Sequence, residues 1–464
     1  MARGREGGDD VRPKARLAEG QGLALLERWF HLSEQGTTVR TEVLAGVTTF
    51  LTMAYIIFVQ PAVLSAAGMD FGAVLVATCL ASAGATLLMA FWANYPIAVA
   101  PAMGHNFFFV YTVVLGMRVP WTIALGAVAL AGIVFILTAG IGLRERLITA
   151  IPASLKHAIA AGIGLLIATI GLQWAGLIVA SPGTLVTLGE VTSPPVLLSL
   201  FGFAVMAVLF ARGVRGAVLW GILVTTVVGL LFGLVRYHGL ISRPPSLAPT
   251  LFRLDVLGAL RPQMLEVIFV FFFLALFDSV GTLVGVAGQA GLLRNGVLPR
   301  AREALLADAV GTVGGAVLGT STVTAYIESA TGVAAGGRTG LANLVTAVLF
   351  LLSLFFYPLV RMIGGGYHTP QGATLYPVIA PALILVGTLM MKEAARIPWE
   401  EMTEAIPAFL TMITMPLSLS VTDGIAFGFI AYALVKLAAG RGREVHWFLY
   451  LFAVLFALRY ALGR

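Results

Sequence analysis

Acidic side chains inside apolar segments are the residues of this sequence best suited to chemistry. Asp278, Asp308 and Glu328 lie within long apolar segments, and Glu266 lies near the start of one. At the centre of a bilayer a charged side chain costs roughly 3 kcal/mol on insertion scales, so each requires a partner, a proton or a function. We therefore predict that Asp278 and Glu328 form a functional site. For the other two, structural pairing with Arg302 or a loop base is an equal alternative.

The residues around Asp278 are spaced as on one face of a helix. Thr282 follows Asp278 by four residues and shares its face. Gly281 and Gly285 are also four apart, and we expect them to let another helix backbone approach closely. The structural alternative for Asp278 is a hydrogen bond between helices. A second glycine series is expected to form a close helix contact and consists of Gly311, Gly315 and Gly319.

Two apolar segments are interrupted, and they must position these side chains. Residues 94–109 place Pro96 and Pro101 before a helix-like run, and proline removes a backbone donor, so an extended stretch followed by a half-helix is predicted. Residues 318–332 are rich in β-branched and hydroxyl side chains and then become helix-like around Glu328. Two half-helices meeting head to head would point their N–H groups at one central cavity.

Composition identifies the solvent of these segments as lipid. Hydrophobic residues make up 59% of 464 positions and charged residues 11%, which a water-soluble domain could not display without large exposed apolar patches. The one cysteine, Cys79, lies in an apolar run, and no cluster suggests a metal, a nucleophile with its base, or a basic face for nucleic acid. We predict an all-α polytopic membrane protein, without a cofactor, that is not an enzyme.

The apolar runs divide into fourteen provisional segments between residues 41 and 439. Along this zigzag twenty-one Lys and Arg residues fall on one side and six on the other, which predicts that both termini are cytoplasmic and that the protein lies in the plasma membrane. Residues 1–38 are predicted to be a cytoplasmic tail. The last apolar stretch, 447–462, is predicted to be an interfacial helix, with a fifteenth span as the alternative. Seven segments precede a Pro-rich connection and seven follow it, as in inverted-repeat carriers.

Four motifs in order resemble the AzgA-like purine permeases, a branch of the nucleobase:cation symporter type 2 (nucleobase-ascorbate transporter) superfamily. The resemblance covers about residues 38 to 440, and the motifs are Thr41–Ile56, Ala100–Phe109, Phe277–Thr282 and Gly319–Ser329. It implies the fold of the bacterial uracil permease, with two inverted seven-segment repeats and short antiparallel strands in segments 3 and 10. The implied division is a core domain of 39–142 and 262–361, a gate domain of 152–238 and 373–440, and a C-terminal tail of 441–464.

The resemblance also assigns roles. Glu328 and Asp278 match the family's substrate and proton carboxylates, and Asn106 matches its asparagine in segment 3. The further substrate-site candidates are Thr282, Phe107, which could stack on a flat ligand, and the motif residues Thr49 and Thr324. Here His105 and Phe107 flank the asparagine, whereas family members usually carry an apolar residue before it and a small one after it, which leaves the substrate profile open.

These roles predict a secondary transporter that imports guanine, hypoxanthine or adenine by proton symport. Glu328 would accept hydrogen bonds from the purine, while desolvation would favour the neutral form of Asp278, which would take the coupled proton. H⁺ is favoured over Na⁺, and a homodimer is possible. The alternatives are an anion carrier of the same fold, such as a sulfate-permease type, which paired carboxylates would disfavour, and a carrier for uracil or xanthine.

Overall fold

The structure is a computed structural model, and it describes residues 24–141, 151–293, 298–369 and 372–461. The described residues are mainly helical, as predicted. Eight helical stretches within them are long and apolar enough to cross a membrane, and others are shorter or broken. The division into fourteen segments therefore stays a prediction, and the start of the predicted N-terminal tail lies outside the described residues.

The elements of the first half follow one another in short connections. In chain order they are α1 (Val39–Met53), α2 (Ile56–Ser65), α3 (Phe71–Leu88), β1 (Val99–Pro101), α4 (Met103–Phe107), α5 (Trp121–Ile141), α6 (Ala153–Trp174), β2 (Ile178–Ser181), β3 (Leu185–Leu188), α7 (Pro194–Ala211) and α8 (Ala217–Leu231). Helix α3 continues as a π-helical turn over Met89–Ala93, and α4 continues as a π-helix over Phe108–Gly116.

The second half contains a longer series of elements. They are α9 (Val256–Ala259), α10 (Pro262–Gln289), α11 (Ala301–Leu318), β4 (Val323–Ala325), α12 (Ser329–Ala334), α13 (Gly340–Ser353), α14 (Tyr357–Gly364), β5 (Tyr367–His368), β6 (Thr374–Leu375), α15 (Ala380–Met390), α16 (Met402–Ser418), α17 (Val421–Ala438) and α18 (Trp447–Ala461). Three short 3-10 turns lie at Leu354–Phe356, Met391–Arg396 and Gly442–Glu444.

The helices pack mainly in two groups. In one group α13 packs on α1 and α3, α11 packs on α3 and α5, and α10 packs on α5. In the other group α6 packs on α15 and α16, α16 packs on α17, and α7 packs on α8 and α15. Gly311 of α11 explains one close contact, since a Cβ added there would lie 2.6 Å from the Cβ of Ala85 on α3. The close helix contact predicted for the glycine series is confirmed at Gly311 but is wrong for the other two, because Gly315 approaches Val323 of β4 and Gly319 approaches Thr250 in a connection.

The two interrupted segments meet at the centre as an antiparallel pair of strands. Val99 of β1 is opposite Ala325 of β4, and Pro101 is opposite Val323. All residues of both strands are buried. Each strand then leads directly into a short helix, α4 or α12, so the extended stretch followed by a half-helix is present in both segments.

A threonine from a neighbouring helix completes the backbone hydrogen bonds of each strand. Thr86 Oγ1 of α3 donates to the Val99 carbonyl at 3.0 Å and accepts from the Val99 N–H at 3.0 Å. Thr312 Oγ1 of α11 does the same for Val323, at 2.8 and 3.3 Å. Because these backbone groups are out of reach of water, a hydroxyl that donates and accepts satisfies both of them.

We expect Thr312→Val to destabilise the protein, because the near-isosteric side chain leaves the N–H and C=O of Val323 unpaired. Leaving a buried backbone group unsatisfied costs about 1–3 kcal/mol. The melting temperature of the detergent-purified variant should fall by several degrees. Thr169→Val is the matched control, because Thr169 Oγ1 bonds to the Leu165 carbonyl of its own helix, which keeps its N–H partner. Equal melting temperatures for the two variants would contradict the assigned role.

Candidate substrate site

The two acidic residues predicted to work together lie at one place, beside the paired strands. Thr324 Oγ1, in β4, donates to Asp278 Oδ2 of α10 at 3.0 Å. Glu328 lies three residues after the end of β4 and immediately before α12, and the hydroxyl of Tyr55 donates to its Oε1 at 2.8 Å. The charges of the two carboxylates interact, and the hydroxyl of Tyr326 interacts with both. The segment that contains β4 thus carries Glu328 shortly after the strand and bonds to Asp278 through the Thr324 hydroxyl.

The two carboxylates differ in access. Asp278 lies among many protein atoms, yet its side chain is exposed along one side, whereas Glu328 is half-buried. Gly281 and Gly285 continue the exposed face of α10 from Asp278, and a Cβ added at either would meet no atom within 4 Å. The prediction that these glycines admit a neighbouring backbone is therefore wrong. They line an open face that leads from Asp278 toward the end of α10.

The predicted asparagine lies in a closed hydrogen-bond network. Asn106 is fully buried, its Nδ2 donates to Gln60 Oε1, and its Oδ1 accepts from Ser321 Oγ. Gln60 Nε2 in turn donates to Thr320 Oγ1 at 2.9 Å. The oxygen and the nitrogen of the Asn106 amide are thus both hydrogen-bonded to protein side chains. A ligand could contact this amide directly only by replacing one of these partners.

The remaining predicted site residues are buried in different surroundings. Phe107 is fully buried and stacks on Tyr111, with ring centroids 5.8 Å apart. Thr282 is buried one helical turn beyond Asp278. Thr49 packs against the short helix α12, because a Cβ added at Gly332 would lie 2.0 Å from its Oγ1.

Sequence reasoning missed two site residues, Tyr55 and Gln60. Tyr55 lies at the break between α1 and α2, and Gln60 lies within α2 beside Pro61. The available signal was that an amide and a phenol lie inside an apolar segment, beside a helix break and a proline. Buried polar groups of this kind require partners. Their partners lie far away in the sequence, so the signal could mark the residues without identifying what they bind.

The other two intramembrane acids have different environments. Asp308 is fully buried on α11 beside Ser279 and the backbone of Ala325, behind Asp278 rather than on the open face. Glu266 accepts from Arg459 Nη1 of α18 at 2.6 Å. Glu266 therefore has the structural partner that was one of its two alternatives, and the partner shown is Arg459 of α18.

The fold and the site define a polytopic membrane transporter. Its carboxylates lie beside two interrupted segments in the middle of a helical body, where they cannot remain without a function or a partner. The sequence matches the family model Xan_ur_permease, described as a permease family, over residues 40–427. The chain belongs to this permease family.

The relatives of the chain are permeases. It is 46% identical to the adenine permease AdeP of Escherichia coli K12, over 94% of this chain and 96% of that protein. It is also 46% identical to the guanine/hypoxanthine permease PbuG of Bacillus subtilis 168, over 93% and 99%. Among solved structures, the transmembrane domain of the cyanobacterial bicarbonate transporter BicA shares the fold, with a TM-score of 0.64 at 15% identity over 83% of this chain and 97% of that chain.

We expect the open face of α10 to be accessible from water. In a Cys79→Ser background, Gly281→Cys and Gly285→Cys should react with a membrane-impermeant maleimide applied on the side where α10 ends. Ser279→Cys is the control, because Ser279 is fully buried on the same helix and sulfur is close to oxygen in size. Labelling of Ser279→Cys as fast as that of the glycine variants would show that the face is not a distinct path.

Proposed function

We propose that this protein imports purine nucleobases, namely guanine, hypoxanthine or adenine, by proton symport with alternating access. The proposal rests on the observation that Glu328 and Asp278 lie beside the paired strands, each bonded to a hydroxyl, of Tyr55 and Thr324 respectively. The names of the relatives, an adenine permease and a guanine/hypoxanthine permease, support the same substrate class.

Glu328 is the proposed purine-binding carboxylate. A purine presents N–H donors and ring nitrogen or carbonyl acceptors along a flat edge, and a carboxylate accepts from such donors. Tyr55 donates to one oxygen of Glu328, and this hydrogen bond holds the carboxylate in one orientation. Phe107 supplies a buried ring in the same segment as Asn106, where a flat ligand could stack once Tyr111 moves.

Asp278 is the proposed proton carrier. Its side chain lies on the open face of α10, where protons can arrive through water, and its charge interacts with that of Glu328. Two negative charges in a poorly solvated site repel each other, so a proton on one of them favours the loaded site. Proton coupling needs only one carboxylate to take up the proton. We therefore propose H⁺ rather than Na⁺ as the coupled ion.

Alternating access follows from motion of the two helix groups. We assign 39–142 and 262–361 to the core domain and 152–238 and 373–440 to the gate domain, with both chain termini in the cytoplasm and the protein in the plasma membrane. In this orientation α10 ends on the cytoplasmic side, so the open face below Asp278 corresponds to an inward-open state. A homodimer is compatible with this arrangement.

An anion carrier is the other function to consider, because a bicarbonate transporter shares the fold. Fold similarity at this identity says nothing about the substrate. Two carboxylates at the centre of the site would repel an anion and accept hydrogen bonds from a neutral nucleobase. Competition by uracil and xanthine against labelled purine uptake separates the remaining nucleobase alternatives.

Glu328→Gln should abolish high-affinity purine uptake, because the amide offers a weaker acceptor and adds a donor that faces purine N–H groups. Losing a hydrogen bond to a charged group costs about 1.5–3 kcal/mol, so we expect uptake in proteoliposomes under an imposed pH gradient to fall by about tenfold to a hundredfold. Glu190→Gln, in an exposed connection, is the control. Full uptake by the Glu328→Gln variant would refute the role of Glu328.

Asp278→Asn should separate binding from coupling. The variant should still exchange labelled purine across the membrane without a gradient, but an imposed pH gradient should no longer drive accumulation, because the coupled proton has no acceptor. Accumulation of the same extent as in the parent protein would show that another group carries the proton.

Tyr55→Phe should weaken purine binding without abolishing it. Removing the hydroxyl frees Glu328 to rotate and deletes one bond to a charged acceptor, so we expect the dissociation constant to rise by about tenfold. Isothermal titration of the purified protein measures this change. Tyr450→Phe is the control, since the hydroxyl of Tyr450 bonds to the Gly442 carbonyl away from the site. An unchanged dissociation constant for Tyr55→Phe would contradict the orienting role.

A further inference from the structure

The C-terminal helix α18 connects two helices that belong to different groups. Arg459 Nη1 bonds to Glu266 Oε1 of α10 at 2.6 Å and lies 3.7 Å from Asp423 Oδ1 of α17. The hydroxyl of the next residue, Tyr460, donates to the same Asp423 oxygen at 2.6 Å. One guanidinium thus lies between a carboxylate of the proposed core domain and a carboxylate of the proposed gate domain.

Aromatic side chains extend the same connection along the helix. Phe452 stacks on Phe269 of α10, with ring centroids 4.0 Å apart and planes at 21°. Phe456 meets Phe429 of α17 edge to face at 6.1 Å. Since Phe452 meets residue 269 while Arg459 meets residue 266, α18 runs antiparallel to α10.

Helix α18 is attached more extensively to α17 than to α10. Helix α18 follows α17 after a short turn and packs along it, so α18 belongs with the gate group. It reaches α10 through the side chains of Glu266 and Phe269. The contact that can open without unfolding α18 is therefore the one to α10.

The ion pair between Arg459 and Glu266 is partly shielded from solvent, which strengthens it. The side chains of Arg459 and Glu266 are each 22% exposed and that of Asp423 is 10% exposed. A pair that is poorly solvated interacts more strongly than a surface pair, and separating it leaves charges that need new partners. Glu266 lies twelve residues before Asp278 on the same helix, about 18 Å along its axis, so the pair fixes the helix that carries the proposed proton acceptor.

We propose that Arg459 is a positioning residue of the transport cycle. Bound to Glu266, it holds α10 of the core domain against the gate domain in the access state seen here, and this tie opens each time the core domain moves. The proposal rests on the proposed function, because it uses the division into core and gate domains.

A reversible cross-link tests whether the tie must open. In a Cys79→Ser background, Phe269→Cys and Phe452→Cys are joined by a short methanethiosulfonate cross-linker and the protein is reconstituted in liposomes. We expect labelled purine uptake to stop on cross-linking and to return on reduction. The matched control joins Phe429→Cys and Phe456→Cys, within the gate group, and should leave uptake unchanged. Uptake by the α10 to α18 cross-linked protein at the rate of its reduced form would overturn the proposal.

Charge variants test the role of Arg459 itself. Arg459→Met, which keeps the chain length, should lower the maleimide labelling rate of Gly281→Cys by about fivefold or more, because the access state seen here loses its tie. Arg459→Lys should restore most of the rate, because it keeps a cation between Glu266 and Asp423. If Arg459→Met does not fold, Glu266→Gln gives the same comparison. Unchanged labelling in the folded variants would refute the positioning role.

The readouts keep the two proposals separate. If the uncross-linked protein takes up no purine, the proposed substrate is wrong. The labelling experiment needs no substrate, so a change in the labelling rate of Gly281→Cys on loss of Arg459 supports the positioning role even in that case.

Discussion

The structure depends on satisfying the backbone of two interrupted segments inside an apolar body. Irregular backbone at that depth is tolerated only where protein or a cavity supplies its hydrogen bonds. Here β1 and β4 pair with each other, and Thr86 and Thr312 bond to Val99 and Val323 from α3 and α11. Ser329 and Asn343 bond to further backbone groups that precede β1. The strands must therefore stay paired for the half-helices α4 and α12 to begin in mid-membrane. The site residues lie where they do because the strands end there.

The repeated use of a threonine points to internal symmetry between the two halves of the chain. Thr86 lies in the helix before the first interrupted segment, and Thr312 lies in the helix before the second. Each bonds to the N–H and the C=O of a single valine. Two inverted repeats are expected to place equivalent hydroxyls at equivalent positions. The half-helix after β4 differs from its counterpart in carrying Glu328 at its start, so the proposed substrate-binding acid belongs to one half of the chain only.

The sequence predicted the class, the interrupted segments and the two central acids, because an acid or a proline in an apolar run is conspicuous without knowledge of its neighbours. It did not predict the partners. Tyr55 lies 273 residues from Glu328, and Arg459 lies 193 residues from Glu266, so only the fold reveals those bonds. The spacing of Gly281 and Gly285 was misleading for a related reason. Small residues permit a close helix contact or an open path, and the spacing alone does not distinguish the two.

The bond between Thr324 and Asp278 gives proton binding a route to the strands. An ionised Asp278 only accepts hydrogen bonds, so Thr324 must donate to it, as the geometry shows. A protonated Asp278 can donate to the Thr324 oxygen instead. The hydroxyl hydrogen of Thr324 can then turn toward another acceptor. Thr324 is in β4, opposite Ala100 of β1, and Glu328 follows four residues later. Proton binding at Asp278, as proposed, would therefore act through one hydroxyl on the strand that precedes the proposed purine-binding carboxylate, without any movement of a helix.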